Sequence, residues 1–158
     1  MLRAAMTSFD RRQALSKEIC AKTGLDEDVI ESLVRNFYDK VRMDPLLGPV
    51  FAERIDDWTP HLEKMIEFWS SVALLTGRYH GQPMQKHLPL PVDARHFDRW
   101  LELFRQTAFE TCSRQGAAHV IERAERIAES LEMGIAANRG AILGRGERFH
   151  LDLPEGAA

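Results

Sequence analysis

The pattern of apolar and polar positions along the chain predicts a protein built of helices. Apolar residues recur at intervals of three and four over long stretches, as they do on one face of an α-helix. Runs of alternating apolar and polar residues, which would predict strands, are almost absent, and so are Asn-Gly and Asp-Gly hairpin turns. We therefore predict an all-α fold.

Glycine, proline and capping residues divide this pattern into separate helices. A first helix is predicted from about residue 9 to 22, and it stops before Gly24, which suits a left-handed helix cap. A second helix follows Asp26 as its N-cap and ends before Pro45. The remaining long helices are predicted from about Trp58 to Gly77, after Asp93 as N-cap, and through AAHVIERAERIAESLEMGIAA.

Two stretches lack the helical pattern. The segment DPLLGPVF, residues 44–51, places two prolines and a glycine among apolar residues and is predicted to be a tight, buried connection. From about residue 139 to 158 the chain has four glycines and few apolar anchors, which predicts a flexible tail. We expect a single domain whose core covers about residues 26–138.

Composition narrows the class of protein. The chain has 158 residues, 44% of them hydrophobic, which is enough for one sizeable core. Its 21 basic and 24 acidic residues are spread evenly, so neither nucleic acid nor a membrane is expected as a partner. No stretch has the roughly 18 apolar residues of a membrane span. Cys20 and Cys112 are expected to be free thiols in a reducing compartment, which predicts a cytoplasmic protein.

Two of the six histidines stand among large apolar residues. His61 shares a helical face with Met65 and Phe68, and His87 lies in the constrained stretch YHGQPMQKHLPLP. An unpaired buried imidazole costs about 1 to 3 kcal/mol, so each ring needs a partner. The pattern alone slightly favours a structural partner, a backbone carbonyl, over a functional one. The other histidines are expected at the surface: His80, His96, His119 and His150.

Common catalytic motifs are missing from the chain. The motifs G-x-S-x-G, G-x-x-x-x-G-K-[ST] and G-x-G-x-x-G do not occur, and HLEKM has a methionine where a zinc motif would have its second histidine. Neither His61 nor His87 has companions at the spacing of zinc ligands. Ligation of a haem iron by one histidine in an apolar slot stays open.

Several segments taken together resemble the truncated haemoglobins, and specifically group III of that family. They are FYDKVRMDPLLGPVF, WTPHLEKMIEFW, GRYHGQPMQKHLPLP and HFDRWLELF, which follow the family's order between about Leu33 and Ile135. The resemblance implies a globin-like, two-over-two helical sandwich that encloses haem b (iron protoporphyrin IX), here with an extra N-terminal helix. The Gly-Gly pairs of other groups are missing, as they generally are in group III.

The resemblance also implies roles for individual residues. His87 corresponds to the histidine that binds the iron, and is therefore the expected metal ligand. Tyr38, His61 and Trp100 correspond to the distal residues that face a bound ligand. Further residues look like the lining of the cofactor pocket: Met65, Phe68 and Trp69. Cations that are candidates for pairing with the haem propionates are Lys86, Arg78, Arg95 and Arg99.

A haem protein of this kind is expected to bind O2 and other diatomic gases, NO and CO. Each hydrogen-bond donor should stabilise a partly negative ligand by roughly 1.5 to 3 kcal/mol. Slow release of O2 suits redox chemistry, so NO dioxygenase or peroxidase-like activity with an electron-donor reductase is a further expectation. The alternatives are a haem-based or haem-free helical sensor or interaction module, and a purely structural helical bundle.

Overall fold

Polar side chains start most of the long helices by completing their first turns. The computed structural model describes residues 5–151, and its helices are α1 (Ser8–Thr23), α2 (Glu27–Met43), α3 (Gly48–Arg54), α4 (Trp58–Leu74), α5 (Pro83–His87), α6 (Ala94–Thr111) and α7 (Arg114–Asn138). The residues before α1, α2, α4, α6 and α7 each accept a hydrogen bond from a backbone N–H of the first turn, which would otherwise lack a partner. The all-α prediction is confirmed, since residues 5–151 contain no strand.

Gly24 makes the turn between α1 and α2, as the sequence predicts. Its φ is 70°, in the left-handed region that glycine reaches at the least cost. Its N–H donates to the Cys20 carbonyl oxygen at 2.9 Å and closes the last turn of α1. This turn also brings α1 beside α7, where a Cβ on Gly116 would lie 2.9 Å from the Thr23 carbonyl oxygen.

Two pairs of helices enclose the core. The helix α2 packs on α4, α6 packs on α7, and contacts of α2 with α6 and of α4 with α7 join the pairs. The extra helix α1 lies against α4 and α7. This is the two-over-two globin arrangement. The buried face of α2 has the predicted spacing: Ile30, Leu33, Val34, Phe37 and Val41. None of the helices that the structure describes is long and apolar enough to cross a membrane.

The stretch after α2 contains a helix that the sequence pattern did not predict. The segment was predicted to be a tight, buried connection, and from Gly48 onward it is helical, because α3 begins there. Pro49 occupies the first turn, where its missing N–H costs no hydrogen bond. A Cβ on Gly48 would lie 2.8 Å from the Arg42 carbonyl oxygen, so the close approach of α3 to α2 requires glycine.

The residues after α7 fold back onto the protein. Phe149 is only 7% exposed and packs with Val92, Phe97 and Ile135 in a second apolar cluster. The Ala94 N–H donates to the Phe149 carbonyl oxygen at 2.8 Å. A flexible tail was predicted here because apolar residues are few, but the described part of the stretch is anchored on the protein through Phe149. The rest of the predicted tail, from 152 to 158, lies outside the described residues.

Trp100 and Leu101 connect the two apolar clusters of the fold. Both side chains pack against the larger cluster between α2, α4 and α6, and also against the smaller one that contains Phe149. This continuity agrees with a single domain, which stays a prediction. The two thiols, Cys20 and Cys112, are free and half-buried. Burial raises the pKa of the Cys112 thiol to about 11, so this thiol stays protonated at neutral pH.

Candidate functional site

A cavity of about 330 Å³ lies among α2, α3, α4, α5, α6 and α7. Apolar side chains such as Leu90, Phe97 and Leu131 form much of its wall. The structure brings every residue that the sequence singles out as a site residue to this cavity: Tyr38, His61, Met65, Phe68, Trp69, His87 and Trp100. A largely apolar cavity with a few polar groups is typical of a binding site for a small molecule or cofactor.

The short helix α5 fixes the ring of His87. Pro83 begins this helix and His87 ends it, and the Leu88 N–H donates to the Met84 carbonyl oxygen at 3.1 Å. Nδ1 of His87 lies 2.6 Å from the Pro83 carbonyl oxygen. A carbonyl oxygen only accepts, so Nδ1 must carry the proton, which leaves the lone pair of Nε2 available as a ligand. The hydrogen bond to the Pro83 carbonyl thus orients the His87 ring and leaves Nε2 free to bind a ligand.

His61 has a polar atom with no partner. Its Nε2 is buried without a hydrogen bond, and no other buried side-chain nitrogen or oxygen among residues 5–151 is left in this state. Burial lowers the pKa of His61, and the positive charges of Lys86 and Lys64 lower it further, so the ring is neutral at pH 7. An orphaned buried group costs about 1 to 3 kcal/mol, which indicates that a partner belongs in the cavity.

Tyr38 supplies a hydroxyl near His61. The Tyr38 ring is 5% exposed, and its centroid lies 5.4 Å from that of His61 and 5.8 Å from that of Trp58. Burial raises the pKa of the Tyr38 phenol, so the hydroxyl keeps its proton and can donate a hydrogen bond at any physiological pH.

Trp100 is held in place by stacked aromatic rings. Its ring lies 5.4 Å from that of Phe104 at an interplanar angle of 14°, and Phe104 stacks on Trp69 at 4.8 Å. The edge of Phe37 meets Trp100 at 5.3 Å and 90°. Offset stacks and edge contacts of this kind favour one arrangement of the rings. The indole of Trp100 is therefore fixed where it meets the cavity.

Two cations that the sequence pattern did not single out also line the cavity. They are Arg54, in the helix α3 that the pattern missed, and Lys64, one turn after His61. Of the cations named as candidates for propionates, only Lys86 lines it. The arginines named with it are held elsewhere, Arg78 by Glu27 at 3.0 Å, Arg95 by Asp93 at 3.2 Å and Arg99 by Asp44 at 2.6 Å.

His96 also lies at the cavity, so the prediction of a surface position is wrong for this histidine. It is 8% exposed, and its Nδ1 accepts a hydrogen bond from the Asp93 N–H at 3.1 Å in a capping box at the start of α6. His119 is half-buried, with Nε2 2.8 Å from the Ala73 carbonyl oxygen. His80 and His150 are exposed as predicted.

Comparisons with known proteins agree with this fold and site. A model of the bacterial-like globin family matches residues 18–133. The group 3 truncated hemoglobin ctb of Campylobacter jejuni is 34% identical over 113 residues, which cover 68% of this chain and 89% of that protein. The chain belongs to the truncated haemoglobin family. Haem binding and the binding of ligands are general properties of this family.

Solved structures of truncated haemoglobins resemble the fold as well. The crystal structure of the group III truncated hemoglobin from Campylobacter jejuni has a TM-score of 0.63, with 68% of this chain and 88% of that chain covered at 34% identity. That of the group II truncated hemoglobin from Bacillus anthracis has a TM-score of 0.58 and 27% identity, with 82% and 92% covered. The sequence match and the structural match to the group III protein of Campylobacter jejuni place the chain with group III.

The cavity of this truncated haemoglobin fits a haem. Its apolar wall suits the porphyrin, and the free Nε2 of His87 suits an iron ligand. The unpartnered Nε2 of His61 and the neutral phenol of Tyr38 suit a small polar ligand. Lys86 at the edge of the same cavity suits a carboxylate.

Proposed function

We propose that this truncated haemoglobin holds haem b in the cavity and binds O2, NO and CO there. His87 is the iron ligand in this proposal, and Tyr38, His61 and Trp100 are the ligand-binding residues. The observation that carries it is the pairing of an oriented His87, with its Nε2 free, and an unpartnered His61 Nε2 in one apolar cavity. The pocket lining comprises Met65, Phe68 and Trp69.

When bound, haem supplies an iron centre that takes up a diatomic ligand and exchanges electrons. The role of His87 follows from its hydrogen bond: donation from Nδ1 to Pro83 fixes the tautomer and increases the electron density on Nε2. Because α5 is short and begins at Pro83, the ring has little freedom to turn away.

The donors in the cavity favour ligands that carry partial negative charge. Tyr38 keeps its proton because burial raises the pKa of its phenol. Trp100 donates through an indole N–H that has no acceptor lone pair, and its ring is fixed by Phe104. His61 is neutral, so its ring can donate from one nitrogen. When haem is bound, such donors would stabilise O2 more than CO, because bound O2 would carry the larger partial negative charge.

The cations at the cavity suit the propionates of haem. Arg54, Lys64 and Lys86 line it, and each can pair with a carboxylate. In this proposal the propionates pair with these three cations. The arginines that are held in ion pairs elsewhere do not contact them.

Slow O2 release favours redox turnover over O2 delivery. We propose NO dioxygenase activity as the reaction, with peroxidase-like activity as the second candidate. The first joins NO and O2 to nitrate, NO + O2 + e⁻ → NO3⁻, and the electron comes from a reductase partner. Tyr38 and Trp100 assist by holding O2 in place long enough for NO to arrive.

Replacing His87 with Ala should abolish the five-coordinate ferrous spectrum, because the iron loses the Nε2 of the ring that the Pro83 carbonyl orients. Added imidazole should restore that spectrum in the variant. His80→Ala, an exposed histidine in the same stretch, is the matched control and should behave like the wild type. An unchanged ferrous absorption spectrum in His87→Ala would show that another residue binds the iron.

Replacing Tyr38 with Phe should accelerate O2 dissociation by about 10- to 100-fold, since it removes a donor to a charged acceptor and keeps the ring. Stopped-flow measurement of O2 displacement tests this. Dissociation of CO is the internal control and should change far less. Equal changes in the dissociation rates of O2 and CO would show that the substitution acts through the shape of the cavity. An unchanged rate for O2 would show that Tyr38 does not contact the bound ligand.

The oxygenated protein, supplied with a chemical reductant, should consume NO repeatedly and form nitrate in equal amount. An NO electrode and nitrate assay measure the two. Repeated turnover supports NO dioxygenase activity, and His87→Ala should lose it. A single turnover per protein under excess reductant, with peroxide-dependent oxidation of a dye instead, would favour the peroxidase-like candidate.

A further inference from the structure

The segment after α7, residues 139–151, lies beyond the match to the bacterial-like globin family, which ends at residue 133. It begins with a turn in which the Ala141 N–H donates to the Ala136 carbonyl oxygen at 2.9 Å. It then runs back along the protein to the start of α6. We call this stretch the post-α7 segment.

A cluster of charged side chains ties the post-α7 segment to α6 and α7. Arg148 donates to both carboxylate oxygens of Glu132, at 2.8 and 2.9 Å, and to Asp98 at 2.8 Å. Glu132 is 5% exposed and also accepts the Phe149 N–H at 3.2 Å. A buried carboxylate of this kind needs such partners, because its charge is costly to bury alone.

Backbone contacts tie the same segment to the first turn of α6. The Phe149 carbonyl oxygen accepts from the Ala94 N–H at 2.8 Å, and the Leu151 N–H donates to Asp93 Oδ2 at 3.1 Å. Burial alone would raise the pKa of Asp93, but hydrogen bonds from Arg95 and from the Leu151 N–H outweigh it and lower this pKa to about 2. The carboxylate therefore stays charged and holds the segment at neutral pH.

Phe149 stands directly behind the wall of the cavity. It packs with Val92, Phe97 and Ala128, and these three side chains line the cavity. Phe149 itself does not line it. Val92 is five residues after His87, and the Leu90 N–H donates to the His87 carbonyl oxygen at 3.0 Å, so the wall is continuous with the end of α5.

We propose that the post-α7 segment is a positioning element of the haem pocket, in which Phe149 presses the wall formed by Val92, Phe97 and Ala128 against the cofactor. The inference rests on the proposed function, because it needs haem bound through His87. The Glu132–Arg148–Asp98 cluster and the backbone pairs to Asp93 and Ala94 hold Phe149 in place. In a close-packed interior, a shift of one side chain moves its neighbours. A change at Phe149 would therefore move the wall of the cavity.

Replacing Phe149 with Ala should make haem leave the ferric protein about tenfold faster, which corresponds to about 1.4 kcal/mol. The measurement follows transfer of haem from the loaded protein to excess apomyoglobin. The iron–histidine stretching band in the resonance Raman spectrum of the ferrous protein should also shift, since the wall next to His87 relaxes. Glu132→Gln should do the same to a smaller extent, because it removes the charge that Arg148 pairs with.

Two further variants distinguish an effect on the position of the cavity wall from a general loss of folding. Phe149→Leu keeps an apolar side chain behind the wall and should restore most of the slow haem loss. Ile142→Ala changes a side chain of the same segment that is 92% exposed, and should match the wild type in rate and band.

Wild-type haem loss and an unshifted band in Phe149→Ala would overturn the inference, whatever the thermal stability of that variant. Equal effects in Ile142→Ala would overturn it as well, since the wall would then not be the cause. In both cases a wild type that binds haem and a His87→Ala variant that loses the five-coordinate spectrum leave the proposed function intact. A wild type that takes up no haem overturns both.

Discussion

The stack of Trp69, Phe104 and Trp100 sets the distance between α4 and α6, and the cavity depends on that distance. The rings lie 4.8 and 5.4 Å apart with small interplanar angles, and Phe37 of α2 meets two of them edge-on. Protein interiors normally close up around apolar side chains. Here the stacked rings fill the space on one side of α4 and α6, so these two helices cannot approach further. The cavity is the open volume that remains on the other side.

Much of the fold could be predicted from the sequence because its signals are local. The caps at Asp26 and Asp93 and the left-handed Gly24 stand at helix ends, and helical spacing marks the buried face of α2. The helix α3 was missed because proline and glycine favour irregular structure as well as a helix start.

Contacts between distant residues account for what the sequence could not show. The pairs Arg78–Glu27 and Arg99–Asp44 join residues 51 and 55 positions apart, and no spacing rule indicates them. The anchoring of Phe149 likewise depends on Glu132, 17 positions away in the chain. All of the predicted site residues line the cavity. Tyr38 and Trp100 were identified by the resemblance to a family and not by the periodicity of the sequence.

Haem in the cavity is the premise of the proposed function, so titration of the purified protein with ferric haem tests that function most directly. A Soret band should grow until about one haem is bound per chain, since the cavity holds one oriented His87 with a free Nε2. On reduction, the spectrum should become that of a five-coordinate ferrous haem. A titration with no Soret shift and no saturation would contradict the account and favour a haem-free helical module.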